Sequence, residues 1–341
     1  MFENFWGNRP IVEAIQRMIA GERIPQTLLF AGPEGLGKAT LVRRMAAALL
    51  GRPERIEQDD LSLPDNQARL TEREKLPADK RNEEPLVFAS HPDFLTFPPD
   101  GPLRQISIAQ VRWLKQQASL APSRGTRRVF LVDQVDRANE QAANSLLKVL
   151  EEPPPYLIIV MTAQNAFDLL RTIRSRAVPF HFTSLPDADM RAFLAARGLD
   201  HPERRLALAA GCPGAAVSMD FEVYDARRAA MLALVETAAG AAPLDAWLKH
   251  SESIGRSKNE KLEALLQILY LLLRDILCLR EGAGPVRNRD IEPRLAALAA
   301  RVSFDWLRHA ARQTDELVQL TRRNIQKTIA LDALIVSLRG R

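Results

Sequence analysis

The sequence predicts an α/β domain built on a parallel sheet, followed by an all-helical C-terminal half. Three observations carry this. Apolar runs at 27–30 (TLLF), 129–132 (VFLV) and 156–163 (YLIIVMTA) alternate with helical patterns, as in a parallel sheet covered on both faces. The first run leads straight into a glycine loop, GPEGLGKAT at 32–40, and then into a helix. After Pro186 the strand signals stop, and apolar residues recur at helical spacing.

Taken in order, IVEAIQRMIA at 11–20 reads as a helix that Gly21 ends. The strand Thr27 to Phe30, the glycine loop and a helix reaching about Leu50 form one βα unit. From Gly51 to Pro85 the chain is rich in charge and proline and poor in aromatic and β-branched residues, which predicts an exposed or partly disordered insertion. Order resumes with LVFASHPDFLTFPP and a helix near Ile108 to Ser119, and the strand Val129 to Val132 then ends on Asp133. The helix EQAANSLLKVLEE is halted by Pro153, Pro154 and Pro155, which cannot continue it. YLIIVMTA is the third buried strand and leads into a loop and turn, AFDLLRTIRSRAVPFHF at 166–182. Asp187 to about Val217 reads as a small helical unit, and everything from Ala226 on as helix with short polar breaks. The segment KLEALLQILYLLLRDILCL at 261–279 is apolar nearly all round, so it is expected inside its own domain or against another chain.

At 341 residues, 46% hydrophobic and 26% charged, the chain has the composition of a soluble globular protein of two or three domains. MFENFWGNRP lacks a basic n-region and an apolar h-region, and Glu263, Gln267, Arg274 and Asp275 interrupt the longest apolar run. A cytoplasmic location without a membrane span is therefore expected. Two cysteines, Cys212 and Cys278, make neither a disulfide framework nor a four-ligand zinc site. The net charge of +5 permits contact with nucleic acid, but the arginines are scattered along the chain, not gathered in one block.

Four motifs bear on chemistry. Gly32, Gly35 and Gly37 let the backbone curl so that amide hydrogens point at an anion, and Lys38 would meet its outer phosphates. The next position should carry the hydroxyl that ligates magnesium, and it is Ala39. Thr40 lies one residue further along a helix, a rotation of roughly 100°, so its hydroxyl should point elsewhere. Asp133 ends its strand where a phosphate-loop ATPase holds its magnesium-associated aspartate, but the following acid is replaced by Gln134, which orients water without accepting its proton. In IRSRAV, Arg174 and Arg176 are either surface cations or, at a subunit edge, able to reach a neighbour's γ-phosphate. AAGCPGAAV at 209–217 reads as a helix stop and a new start.

With these pieces in place, the chain resembles the bacterial clamp-loader ATPases of the AAA+ group, and within them the delta-prime type of DNA polymerase III subunit. The resemblance covers the first helix and glycine loop, HPDFLTF at 91–97, RRVFLVDQVDRANEQAANSLLKVLEEPP at 127–154, TIRSRA at 172–177 and GCPGAA at 211–216. A weaker match, RRNIQKTIALDALIVSL at 322–338, is similar to the last helix of the oligomerising collar. Within the longest match, NSLLKVLEEPP is similar to the group's N-x-L-L-K-x-L-E-E-P signature.

The resemblance implies a P-loop (AAA+) domain at 1–183, a helical lid at 184–222 and an all-α collar at 223–341 that packs with sister subunits into a five-membered open ring. Arg176 matches the arginine of a Ser-Arg-Cys motif that acts in trans on the ATP site of an adjacent gamma/tau subunit, with Ala177 in place of the cysteine. The lid arginine of active members falls at Gly214. The cysteine-rich zinc module is missing, and residues 51–85 take its place. Together these imply a vestigial nucleotide site formed by Gly32, Gly35, Gly37, Lys38, Thr40 and Asp133, with no metal, no zinc, no required cofactor and at most weak ATP or ADP binding. The implied partners are delta and gamma/tau subunits and, through the complex, a sliding clamp and primed DNA. The alternatives are an active ATPase, of gamma/tau type or a branch-migration helicase, and a stand-alone DNA-binding protein.

Overall fold

The computed structural model describes residues 2, 4–257, 260–321 and 325–339. The chain divides into two compact units, Met1–Leu199 with Ala209–Val217, and Asp200–Leu208 with Ser218–Arg341. The stretch 184–222 is thus shared between them.

The first unit begins with α1 (Arg9–Ala20), β1 (Thr27–Ala31) and α2 (Lys38–Leu50). It continues through α3 (Pro53–Ile56), α4 (Pro64–Lys75), α5 (Ala78–Glu83), β2 (Phe88–His91), β3 (Phe94–Phe97) and α6 (Ile108–Ala118). Next come β4 (Arg128–Val132), α7 (Glu140–Glu151), β5 (Leu157–Ala163), α8 (Arg171–Arg174), β6 (Val178–His181) and α9 (Asp187–Arg197). The helices α10 (Pro202–Ala209) and α11 (Pro213–Ser218) follow.

The six strands form one sheet in the order β2-β3-β4-β5-β1-β6, parallel except for β2 against β3. Every residue of β1, β4 and β5 is buried, the signature of a sheet covered on both faces. Period-2 alternation sends Leu29, Phe130, Val132, Ile159 and Met161 to one side, where they pack with Val111 and Leu114 of α6 and Leu146 and Leu150 of α7. The helix α2 packs on β4 and β5.

Where these helices start is locally encoded. Ser107 and Gln110 form a reciprocal capping box on α6, and the Asn139 side chain accepts from the Ala142 amide to start α7.

Two sequence expectations are corrected. The reading finds three strands, and the structure adds β2, β3 and β6. These are short elements of four residues whose register comes from their neighbours. The sixth, VPFH, contains Pro179, which reads as a turn; at the sheet edge beyond β1 its missing amide hydrogen is tolerated.

The second correction concerns the 51–85 insertion, which is exposed over most of its length as expected but is folded into short helices. A few of its charges tie it to the sheet domain. Arg43 of α2, almost fully buried, donates to Glu57 at 2.9 Å and also to Asp60. Arg73 holds Asp100 through two hydrogen bonds of 3.2 and 2.5 Å, and the buried Asp59 carboxylate accepts from the Ser90 amide at 3.0 Å. Leu70, Leu86 and Phe88 close a small apolar cluster beneath. Composition reads as disorder here because it cannot distinguish solvated charges from paired ones.

Arg43→Ala is expected to destabilise the chain by roughly 1–3 kcal/mol, since its charged hydrogen bonds to Glu57 and Asp60 are lost. Urea unfolding checks this: an unchanged midpoint would mean that the pairs are ornamental.

The second unit comprises most of α10 with α12 (Phe221–Ala238), α13 (Leu244–Arg256), α14 (Leu262–Glu281), α15 (Glu292–Arg301), α16 (Phe304–Thr321) and α17 (Lys327–Arg339). The apolar helix α14 runs through its centre: Leu265, Leu266, Leu269, Leu272 and Ile276 pack with Met231 and Leu234 of α12, Leu295 of α15 and Leu307 of α16. Helix-all-round hydrophobicity is explained by this burial on several sides. Of the 322–338 match, residues 322–324 lie outside the described residues and 327–338 belong to α17. Among the described residues no helix is long and apolar enough to cross a membrane.

Candidate functional site: a phosphate loop closed on itself

Strand order builds the site. Because β5 lies between β1 and β4, the carboxyl ends of three parallel strands emerge side by side, the place where open α/β sheets bind ligands. The end of β1 carries the glycine loop, the end of β4 carries Asp133, and the end of β5 carries Thr162.

Gly32, Gly35 and Gly37 all have positive φ, at 149°, 82° and 79°, so each adopts backbone that a side chain would strain. At Gly32 the reason is also steric, since a Cβ would sit 2.4 Å from the Phe182 carbonyl oxygen.

The loop's lysine and its Gly32, Pro33 and Gly35 carbonyls are bonded within the chain. Lys38, the first residue of α2, is buried and donates through Nζ to the carbonyls of Gly32 at 2.6 Å and Pro33 at 2.7 Å. Burial lowers its pKa, opposed by the nearby Asp133, Glu34 and Asp136 carboxylates.

At Gly35 the carbonyl accepts from the Gly214 amide at 2.8 Å. A side chain at Gly214 would meet the Gly35 Cα at 2.8 Å, so the start of α11 is seated directly on the loop. Phe5 closes another side, 3.0 Å from where a Gly37 Cβ would stand.

Beside the loop, Thr162 donates from Oγ1 to Asp133 Oδ1 at 2.6 Å and accepts from the Gln134 amide at 2.8 Å. This hydroxyl helps to hold Gln134 in a left-handed conformation, φ 52° and ψ 55°, that a non-glycine residue seldom adopts. Burial raises the Asp133 pKa, with the Thr162 hydrogen bond and Lys38 acting against it. Thr162 was not singled out in the sequence; its signal is a lone hydroxyl near the end of an otherwise apolar strand. Gln164 donates to Glu34 at 3.2 Å and adds a second bridge between the β5 end and the loop.

The structure brings Gly32, Gly35, Gly37, Lys38 and Asp133 together. Thr40 is drawn to Arg43, whose Nη2 lies 3.4 Å from its hydroxyl. Arg176 belongs to a different place: its Nη2 donates to Glu151 at 2.9 Å and its Nη1 to the Thr172 carbonyl at 3.0 Å.

Ala39 offers no metal ligand, the lysine is committed to loop carbonyls, and α11 contacts Gly35. Among the described residues no group of three or more His, Cys, Asp or Glu is placed to hold a metal ion.

The chain has named relatives. It is 28% identical to DNA polymerase III subunit gamma/tau of Mycobacterium bovis over 57% of its own length, and it spans only about 30% of that protein. It is 27% identical to DNA polymerase III subunit delta' of Pseudomonas aeruginosa over 90% of both chains. With DNA polymerase III subunit delta' of Escherichia coli the identity is 28%, over 64% of each chain. The family model described as "DNA polymerase III, delta subunit" matches residues 7–186, more than half of the chain and all of the loop and sheet. The strand-end site just described therefore sits in a protein that belongs to the DNA polymerase III delta subunit family of clamp-loader proteins.

Proposed function

We propose that this chain is a delta-prime-type subunit of a DNA polymerase III clamp loader, a cytoplasmic ring component that does not itself hydrolyse ATP. The observation that carries the reading is the occupied loop: Lys38 bonded to Gly32 and Pro33, with Gly214 seated on Gly35. A lysine already bonded to loop carbonyls must give up those bonds to meet a phosphate. Ala39, Gln134 and Gly214 support the same conclusion, because each lacks a group that ATP hydrolysis requires.

In this reading the nucleotide site is vestigial, needs no cofactor or zinc, and binds ATP or ADP weakly at most. The chain contributes Arg176 to the ATP site of a neighbouring gamma/tau subunit, and its helical C-terminal unit packs with delta and gamma/tau subunits. The complex then loads the sliding clamp onto primed DNA. The gamma/tau names among the relatives favour the other reading, an active ATPase of that type.

A magnesium-dependent ATPase assay on the isolated chain, with and without primed DNA, separates the two. The expected result is no turnover above background; DNA-stimulated hydrolysis by the pure chain would give the site back to the active type. Mixing with delta and gamma/tau subunits should yield a stable ring.

A further inference from the structure

We infer that Glu151 positions Arg176 for its work in trans, an inference that rests on the role proposed above for that arginine. The Arg176 Nη2 donates to Glu151 Oε1 at 2.9 Å, and the Nη1 donates to the Thr172 carbonyl at 3.0 Å. A guanidinium has five N–H donors in a planar fork, so these anchors, with a longer Nη1 bond of 3.4 Å to the Ser175 hydroxyl, fix its plane and leave donors for a further group. The Arg176 side chain is 33% exposed and that of Glu151 49%, so the held fork remains open to solvent.

The placement of Glu151 supports this. It is the last residue of α7, followed by Glu152 and by Pro153. Two carboxylates at a helix C-terminus face its partial negative charge, which makes them unfavourable for the helix itself. Nothing in the packing of α7 requires them either: both are exposed, whereas Ala142, Leu146, Val149 and Leu150 make the core face. What Glu151 does have is Arg176, 25 residues further on.

The physical role is preorganisation. A free arginine carries roughly 2 kcal/mol of rotamer entropy, part of which must be lost when it engages a developing phosphate charge. Glu151 and the Thr172 carbonyl remove some of that freedom beforehand, so the cation is already aimed.

The test is a double-mutant cycle in the assembled loader, containing this chain, delta and gamma/tau subunits, sliding clamp and primed DNA, read as steady-state ATP kinetics. Glu151→Ala is expected to lower kcat about three- to fivefold, the scale of an exposed ion pair, with the KM for ATP unchanged. Glu151→Gln, which keeps an acceptor oxygen, should recover part of the loss. In the Arg176→Ala background the same Glu151→Ala change should have no further effect.

Full kcat in Glu151→Ala beside a defective Arg176→Ala would overturn the positioning and leave the trans arginine standing. A further drop in the Arg176→Ala background would assign Glu151 a purely structural part and overturn the inference too. Normal turnover in Arg176→Ala would remove the trans role itself, and the positioning with it.

Discussion

Replacing Arg176 by alanine is expected to slow ATP turnover at the adjoining site of the assembled loader by about a thousandfold, the lower end of what a trans-acting arginine supplies. The isolated chain should lose almost nothing in stability, because the pair it makes with Glu151 is half-exposed and worth at most about 1 kcal/mol. Arg176→Lys should behave much like the alanine variant, since an ammonium keeps the charge but not the planar fork. Ring assembly and thermal melting serve as controls. If the variant loader assembles and hydrolyses at the wild-type rate, Arg176 is a surface cation.

The largest effect on folding is expected at Asp275, in the middle of α14. Its carboxylate is fully buried and accepts from the Arg287 amide at 3.0 Å, the Asn288 amide at 2.9 Å and the Asn288 side chain at 2.9 Å. Asn288 in turn accepts from Tyr224 at 2.7 Å, and Arg228 holds Asp290 through two bonds of 2.7 and 2.6 Å. One carboxylate thus anchors the loop between α14 and α15, and burial pushes the Tyr224 hydroxyl up to about 12.

Asp275→Ala removes the acceptor of the buried Asn288 amide and side chain, the partner of the Arg287 amide and the counter-charge of Arg274 at 3.1 Å, so a loss of roughly 3–5 kcal/mol is expected. That is a large share of a typical folding free energy. Asp275→Asn should recover only part of the loss, because its amide oxygen still accepts from one side while its NH2 group faces donors on the other and the charge is gone. Denaturant unfolding followed by helical circular dichroism measures this; a midpoint unmoved by Asp275→Ala would mean that the loop finds other acceptors.

Asp275 also illustrates what a sequence conceals. On pattern alone it is an interruption in an apolar helix, useful for excluding a membrane span. Only the fold reveals that it is the acceptor for a loop a dozen residues away. Thr162 is similar: the continuous apolar run of β5 marks it as buried, but its partners Asp133 and Gln134 lie at the end of a strand that pairs with β5 only in three dimensions. Insertion 51–85 looked unstructured because charge and proline content are local averages, whereas the ion pairs that fold it connect α2 to residues 57–60 and α4 to residue 100.

The sequence by itself determined the alternation of strand and helix, the glycine loop that only positive-φ residues can make, the missing hydroxyl at Ala39, and the proline stop after α7. Each of these is set by neighbours within a few residues, through periodicity, backbone sterics or side-chain identity. Tertiary structure decided the sheet order that places Thr162 beside Asp133, the seating of Gly214 on Gly35, and the pairing of Glu151 with Arg176. Those contacts join residues from 25 to nearly 180 positions apart, and only the folded chain can bring such groups within hydrogen-bonding range.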